Sequence, residues 1–277
     1  MADREWDYGA VTRNLGTAAN WTADTAPVSN DRVFFTSNVT GAGTGPNTNM
    51  AALTAVDADL VEVTGEYTES VGQNGSSMDI SADRVNMYGQ ATLYLKDGGG
   101  TTDHVFVDVD RRAVFTASTG TVSLQISGAT TSFLSIRRGR VDTEGTCTIT
   151  DILLGMEGLV NPEVFLNIAA GNTITTATMH GGVVASNTAP SGAVKVHGGT
   201  WTQSTVVLAG ALWVFPGARV NLTVTGTYPT VYWFGGIIDG SKGGPKVITN
   251  LYQMFQNESD ANRLIGFPTL VTVTNRL

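Results

Sequence analysis

Charge is what this sequence has least of. Only 14% of its 277 residues are Asp, Glu, Lys or Arg, against about 25% in an average soluble domain. From Val164 to Ile238 there is no carboxylate at all, and Lys195 and Arg219 are the only Lys or Arg. Strands drawn from that stretch cannot supply a pair of carboxylates for acid–base chemistry. A surface so poor in charge is expected to be covered by other subunits or by another protein. Cysteine is nearly missing too. Cys147 stands alone, which excludes an internal disulfide and any Cys-based metal spacing. No apolar run approaches the roughly 18 residues of a membrane-crossing helix, so no membrane partner is expected. No segment carries a convincing amphipathic helical stripe; the best weak candidate, Leu251 to Ile265, reads as a loop or a short helical turn because of its Asn, Gln and Asp. Basic runs are missing as well: Arg111-Arg112 and Arg137-Arg138, with Arg140, are local clusters, too few for a nucleic-acid stripe and read as solvated corners. The opening Met-Ala-Asp-Arg-Glu-Trp has acid where a secretory signal has an apolar core, so folding in a cytoplasm is expected.

What is there points to β-structure. The chain has 33 Gly, and it is rich in Thr, Val, Ala and Asn, the composition of short strands joined by tight turns. Three stretches read almost alike: Met179-His180-Gly181-Gly182-Val183-Val184, Val196-His197-Gly198-Gly199-Thr200-Trp201 and Trp233-Phe234-Gly235-Gly236-Ile237-Ile238. The first two lie 17 residues apart and the third 37 further on. Recurrence at about one coil length, with Gly at each corner where positive φ is needed, is how a β-solenoid is written. Segments such as Val105-Phe106-Val107-Asp108-Val109 and Val220-Asn221-Leu222-Thr223-Val224 alternate apolar with polar, the period of a strand with one face buried. Asn74-Gly75 is the one clear hairpin-type turn. The fold class expected is therefore all-β, a right-handed parallel β-helix with an N-terminal cap. A β-sandwich or jelly roll is the alternative, since it too is made of many short strands.

Composition divides the chain three ways. Residues 1–50 form an N-terminal arm and cap, because the first coil of a solenoid needs cover. Residues 51–250 form the solenoid, and 251–277 a C-terminal loop and a terminal strand that caps the last coil or adds to a neighbour's sheet. The net charge is −8, and residues 1–70 hold ten Asp or Glu against three Arg.

Candidate chemistry is sparse. Asp103 and His104, with Asp108, Asp110, Arg111 and Arg112, form the best polar constellation. Asp108 and Asp110 would lie about 7 Å apart on one side of a strand, fit for a cation or a sugar, or simply a solvated face with Val107 and Val109 inward. Glu144, Asp142 and Glu157 are isolated acids. His180 and His197 occupy the same place in two repeat copies and would stack about 5 Å apart; they lack a third ligand and read as a stacked polar ladder. The loops Gly98 to Gly100 and Gly41 to Gly45 lack the Lys-Ser/Thr ending of a phosphate loop. No catalytic residue, cofactor or metal site is assigned. Trp201, Trp213, Tyr228, Tyr232, Trp233 and Phe234 cluster late, and burial in the core or in a subunit interface is the expected reason. The interface candidates are Trp6, Tyr8, Trp201, Trp213, Tyr232, Trp233 and Phe267.

The stretch Asn20-Trp21, then Ala26-Pro27-Val28-Ser29-Asn30-Asp31-Arg32-Val33-Phe34-Phe35, resembles the opening coil of autotransporter-type right-handed β-helices, on Trp21, Pro27, Asn30, Asp31, Val33 and Phe35. Its opening residues do not read as a signal peptide and no membrane barrel is expected of these residues, which is where the resemblance to autotransporters is expected to stop. In style it looks like the β-helices of tailed bacteriophages, which serve as tailspikes, and like their β-rich head-decoration trimers. That resemblance implies a structural virion protein assembled in the host cytoplasm. It would be a homotrimer that decorates or cements the head by binding the major capsid protein, with no catalysis. The alternative it implies is a tailspike or fibre that binds or cleaves polysaccharide; a surface adhesin is a third reading, less expected because the opening residues do not read as a secretory signal.

Overall fold

The structure, a computed structural model, describes all residues except 11, 37–42, 97–99, 110–123, 128–129, 157–163, 256–258, 260–262 and 268, and leaves out the side chains of 124, 125 and 127. The architecture is all-β, a parallel β-helix. Every ladder described between its strands is parallel, as a coil stack requires and a sandwich or jelly roll of hairpins does not. The chain divides into two compact units, Met1–Thr148 and Ile149–Leu277.

The first unit contains β1 (Asp3–Glu5), β2 (Arg32–Phe35), β3 (Asp57–Val63), β4 (Met78–Asp79), β5 (Ser81–Met87), β6 (Leu93–Lys96), β7 (Thr102–Asp108), β8 (Leu124–Ser127) and β9 (Thr130–Glu144). β1, β2, β3, β5, β7 and β9 pair in that order along one face. β4, β6, β8 and the second half of β9 pair along another. β9 serves both faces, and Gly139, at φ 112, sits between its two pairing halves. The expected N-terminal cap is partly a rung: β1 pairs with β2 as the first strand of the stack. Around it the interior is an aromatic column. Trp6 stands edge-on to Trp21 at 5.3 Å, Trp21 to Phe35 at 5.9 Å, and Phe35 tilts against Tyr67 at 5.8 Å. Both indoles find acceptors, Trp6 Nε1–H donating to Thr44 O and Trp21 Nε1–H to Leu15 O, so their burial leaves no orphan donor. The turn before β2 is tied by Asp31, whose carboxylate accepts from the backbone N–H of Ala2 (2.7 Å) and Val28 (3.3 Å) and from Arg4 Nε (2.9 Å). Burial alone would raise its pKa; these donors outweigh burial and hold it below the ordinary 3.8.

The second unit contains β10 (Thr148–Leu154, beginning at the boundary), β11 (Val164–Ile168), β12 (Thr173–Met179), β13 (Val183–Ser186), β14 (Val194–Val196), β15 (Gly199–Gln203), β16 (Leu212–Val214), β17 (Ala218–Leu222), β18 (Gly226–Trp233), β19 (Ile237–Asp239), β20 (Lys246–Gln253), β21 (Arg263–Ile265) and β22 (Val271–Arg276). Even-numbered strands from β12 to β22 stack as one sheet and odd-numbered strands from β11 to β21 as the other. The register lines up Ala177, Val194, Leu212, Val231 and Leu251 in one inward column, all buried. Each coil between them is one residue longer than the last, from 17 to 20 residues. The facing column is Leu166, Val184, Trp201, Val220, Ile238 and Leu264. Filling each rung of both columns is what replaces a conventional core, at about 1.5–3 kcal/mol per fully buried large apolar side chain.

The three Gly-Gly corners are the turns between the sheets. The second glycine of each pair, Gly182, Gly199 and Gly236, has φ of 90°, 77° and 78°, as the sequence requires. The segment from Leu251 is strand through Gln253, and Arg263–Ile265 is strand again, so the helical turn weighed for that region is absent among the described residues. Extended pairing to β18 and β19 overrides its weak helical pattern. The terminal strand β22 pairs with β20 as the last rung of its own sheet.

Candidate functional site

The outward side of the even-numbered sheet in the second unit carries the most distinctive surface. Its strands end in a repeated three-residue pattern: Lys195-Val196-His197, Trp213-Val214-Phe215 and Tyr232-Trp233-Phe234. The pleat turns the middle residue in, and Val196, Val214 and Trp233 are fully buried. The flanking residues therefore point out. Parallel register aligns Thr178, Lys195, Trp213, Tyr232 and Tyr252 as one column. The next outward position gives a second column: His180, His197, Phe215 and Phe234.

Both columns are stacked. In the second, His180 and His197 lie 4.8 Å apart with 18° between their planes, His197 and Phe215 4.0 Å with 11°, and Phe215 and Phe234 4.8 Å with 5°. In the first, Trp213 and Tyr232 lie 4.4 Å apart and tilted, and Tyr232 stacks on Tyr252 at 4.8 Å with 14°. Trp213 also reaches across to Phe234 at 5.7 Å, and the Lys195 ammonium lies 5.8 Å from the Trp213 ring centroid. These side chains are half-buried, the Lys195 side chain exposed. The spacing is the coil repeat itself, so each ring's faces are largely covered by its neighbours and its edge is what solvent sees. That geometry disfavours stacking a sugar ring face-on along the ladder. It also answers the two-histidine metal idea: near-parallel imidazoles aim their in-plane lone pairs side by side, and no group of three or more His, Cys, Asp or Glu able to hold a metal occurs among the described residues.

Comparison with known protein families, curated proteins and solved structures finds no match for this chain. What the site can do is therefore read from its own residues.

Of the seven expected interface residues, Trp213 and Tyr232 lie on the ladder. Trp6, Trp201 and Trp233 do not offer surface: all three are fully buried. Trp201 Nε1–H donates to Gln203 Oε1 and Trp233 Nε1–H to Gly236 O, so their polar ends are satisfied inside the coils. Tyr8 is half-buried at positive φ (58°) in the N-terminal loop. Phe267 is 47% exposed, with the Arg276 guanidinium over its ring at 5.9 Å. Phe215 and Tyr252 belong to the ladder and were not among the candidates. The signal for them was the alternation around an inward residue, aligned one coil at a time.

The acidic constellation is partly seen. Asp110, Arg111, Arg112 and Glu157 lie outside the described residues, as do Gly98, Gly99, Gly41 and Ala42 of the glycine loops. Asp108 is held by Arg137 (3.3 Å) and Arg138 (2.5 Å), with Val107 and Val109 buried beside it, the arrangement of an ion-paired strand face. Asp142 pairs with Arg140 at 2.9 Å. Asp103 and His104 are exposed on β7. Two grooves open near them on the first unit. One, of about 380 Å³, is lined by Asp57, Asp83 and Asp103 with Ser81 and Thr101. The other, of about 300 Å³, is lined by Arg84, His104, Phe106, Phe133 and Ser135. Within it His104 meets Phe133 edge-to-face at 61°, and Phe106 is met in the same way, at 66°, by Tyr88 from outside the lining.

One buried cation escaped the sequence. Lys246 is 1% exposed, and its ammonium donates to Gly244 O at 2.6 Å and to Lys242 O. Burial lowers its pKa, and the charge of Asp239 opposes that shift. Asp239 accepts from Ser241 N (3.0 Å), Ser241 Oγ (2.6 Å) and Arg219; these donors overcome burial and hold its carboxyl below 3.8. The lysine fills the 242–245 turn from inside, a structural role.

Proposed function

We propose that this chain is a structural, non-catalytic protein of a tailed-bacteriophage particle, a homotrimer that decorates and cements the head by binding the major capsid protein. The observation that carries this reading is the aromatic ladder: seven outward rings across consecutive coils, on a face drawn largely from the carboxylate-free part of the chain. Rings held outside a core are typical of protein contact surfaces, where Trp and Tyr are enriched and acids depleted. The described carboxylates with basic partners, Asp31, Asp79, Asp108, Asp142 and Asp239 among them, are tied into ion pairs, which suits a rigid element better than an acid–base pair. Repeated copies on a shell turn individually weak contacts into lasting attachment through effective concentration.

The test is quantitative mass spectrometry of purified particles, counting this chain against the major capsid protein. Copies in comparable number are expected; absence from particles refutes the reading. A handful of copies per particle favours the second reading, a polysaccharide-binding fibre or tailspike. The observation behind that alternative is the 300 Å³ groove, where Phe106 and Phe133 lie beside Arg84, His104 and Ser135.

A further inference from the structure

The geometry points to the aromatic ladder as a seam on which copies of this chain meet, ladder against ladder. We infer that its occupant is a second copy, and three features support that choice.

The first is shape. The two outward columns are two residues apart along the strand, about 7 Å. The rings fill the space between the columns: Trp213 lies 5.7 Å from Phe234 and nearly parallel to it, and Val196, Val214 and Trp233 beneath them are fully buried. Because successive coils are in register, the two columns form one ribbed surface that runs straight from β14 to β18. Its ribs repeat at the coil spacing, so those of one copy fall in step with those of another at the roughly 10 Å separation of packed sheets. A partner without the coil repeat would meet the rings out of step.

The second is charge. The whole chain carries −8, so most faces repel a second copy. Between Thr178 and Met254 the outward side of this sheet has no carboxylate; Lys195 is its one full charge, and the neighbouring outward positions are Thr, Ala and Asn. The nearest acid on that side, Asp151, accepts a hydrogen bond from Thr176. This is the face on which two copies of an acidic chain approach at the lowest electrostatic cost.

The third is size. Five strands, β12, β14, β16, β18 and β20, span about 24 Å along the stack and about 17 Å along the strands. The footprint is on the order of 400 Å² per copy, about half that of a standard stable interface. The seam alone therefore gives weak, concentration-dependent association, completed where copies are already crowded together.

This inference rests on the reading of the chain as a multi-copy structural protein, but its test is separate. Sedimentation velocity of the full chain, from about 1 to about 500 µM, is expected to show reversible self-association. Trp213→Thr with Tyr232→Thr, which extends to two more rungs the residue already present at Thr178, is expected to weaken it at least tenfold. Thr230→Glu leaves every ring in place and sets one carboxylate on the same outward face, two residues before Tyr232; it is expected to weaken association as strongly. It decides alone if the ring variant fails to fold. A wild-type chain that stays monomeric across the range, or association unmoved by Thr230→Glu, overturns the seam. A chain abundant in particles yet monomeric in isolation overturns the seam and keeps the structural role. Self-association through this face by a chain absent from particles does the reverse.

Discussion

Replacing Gly199 by Ala tests whether the corners are held by coil-on-coil contact or only by backbone conformation. Gly199 and Gly217 both have positive φ, 77° and 87°, so either substitution forces a side chain into the left-handed region at about 1–2 kcal/mol. Only Gly199 sits against the coil before it. A Cβ there would lie 2.3 Å from Gly182 O, 2.7 Å from Gly182 N and 2.7 Å from the Met179 methyl, whereas at Gly217 nothing lies within 4 Å. Two of those three atoms are backbone and cannot swing away. Overpacking of that kind adds about 1–3 kcal/mol. Gly217→Ala should therefore cost about 1–2 kcal/mol and Gly199→Ala about 2–5 kcal/mol. At roughly 2–4 °C per kcal/mol for a chain of this size, the melting temperature should fall by about 2–8 °C and about 4–20 °C. Thermal unfolding followed by circular dichroism at one scan rate, with urea midpoints as a second measure, gives the comparison. Equal losses in the two variants, or a larger loss at Gly217, would refute stacking at the corner.

Two further predictions concern buried charge. The carboxyls of Asp31 and Asp239 are held below 3.8 in the folded chain, so the unfolded state binds protons first as pH falls. Their stabilisation is complete well above pH 3.8 and is lost as pH drops through their folded values. Urea midpoints should be level near neutrality and fall on the acid side. Asp31→Asn should lower the neutral plateau and flatten the acid limb, and an unchanged limb would count against the assignment. Lys246→Met should cost about 2–4 kcal/mol, because the carbonyls of Lys242 and Gly244 lose a charged donor inside the turn. A chemical-denaturation midpoint equal to wild type would show that the turn holds without it.

How far the sequence could be read depends on what sets each feature. The corners were legible because backbone stereochemistry sets them: a Gly-Gly pair between β-formers has few uses other than a positive-φ turn, and Gly182, Gly199 and Gly236 take that conformation. Strand identity was legible from period-2 alternation. The register was not, because it depends on coil lengths that drift from 17 to 20 residues. Without register, aromatic content cannot be divided into inside and outside. Trp213 and Trp233 look equivalent in sequence, yet one residue of phase separates them: Trp233 takes the inward place that Val196 and Val214 hold on earlier rungs, and Trp213 takes the outward place of Tyr232 and Tyr252. The same slip hid Phe215 and Tyr252. Lys246 was hidden for another reason, since a buried ammonium is set by carbonyls of its own turn, which leave no trace in side-chain pattern.

Whether the ladder serves the fold or a partner can be argued from the first unit, which stacks its coils in the same parallel manner without it. There the outward positions aligned across β3, β5, β7 and β9 are Leu60, Arg84, His104 and Phe133, with Asp83 and Asp103 exposed just before Arg84 and His104. The inward residues beside them, Val61, Val85, Val105 and Leu134, are fully buried, so those coils close on apolar rungs while charge faces water. Stacked outward rings contribute about 0.5–1.5 kcal/mol per pair, which helps the second unit but is not what a coil of this protein needs in order to form. A surface of rings also carries a cost in solubility that Asp, Arg or Thr at the same positions would not. The ring-rich face is thus better explained by something that covers it than by the coils beneath it, and in a chain of net charge −8 its lack of carboxylates favours a copy of the same chain as that cover.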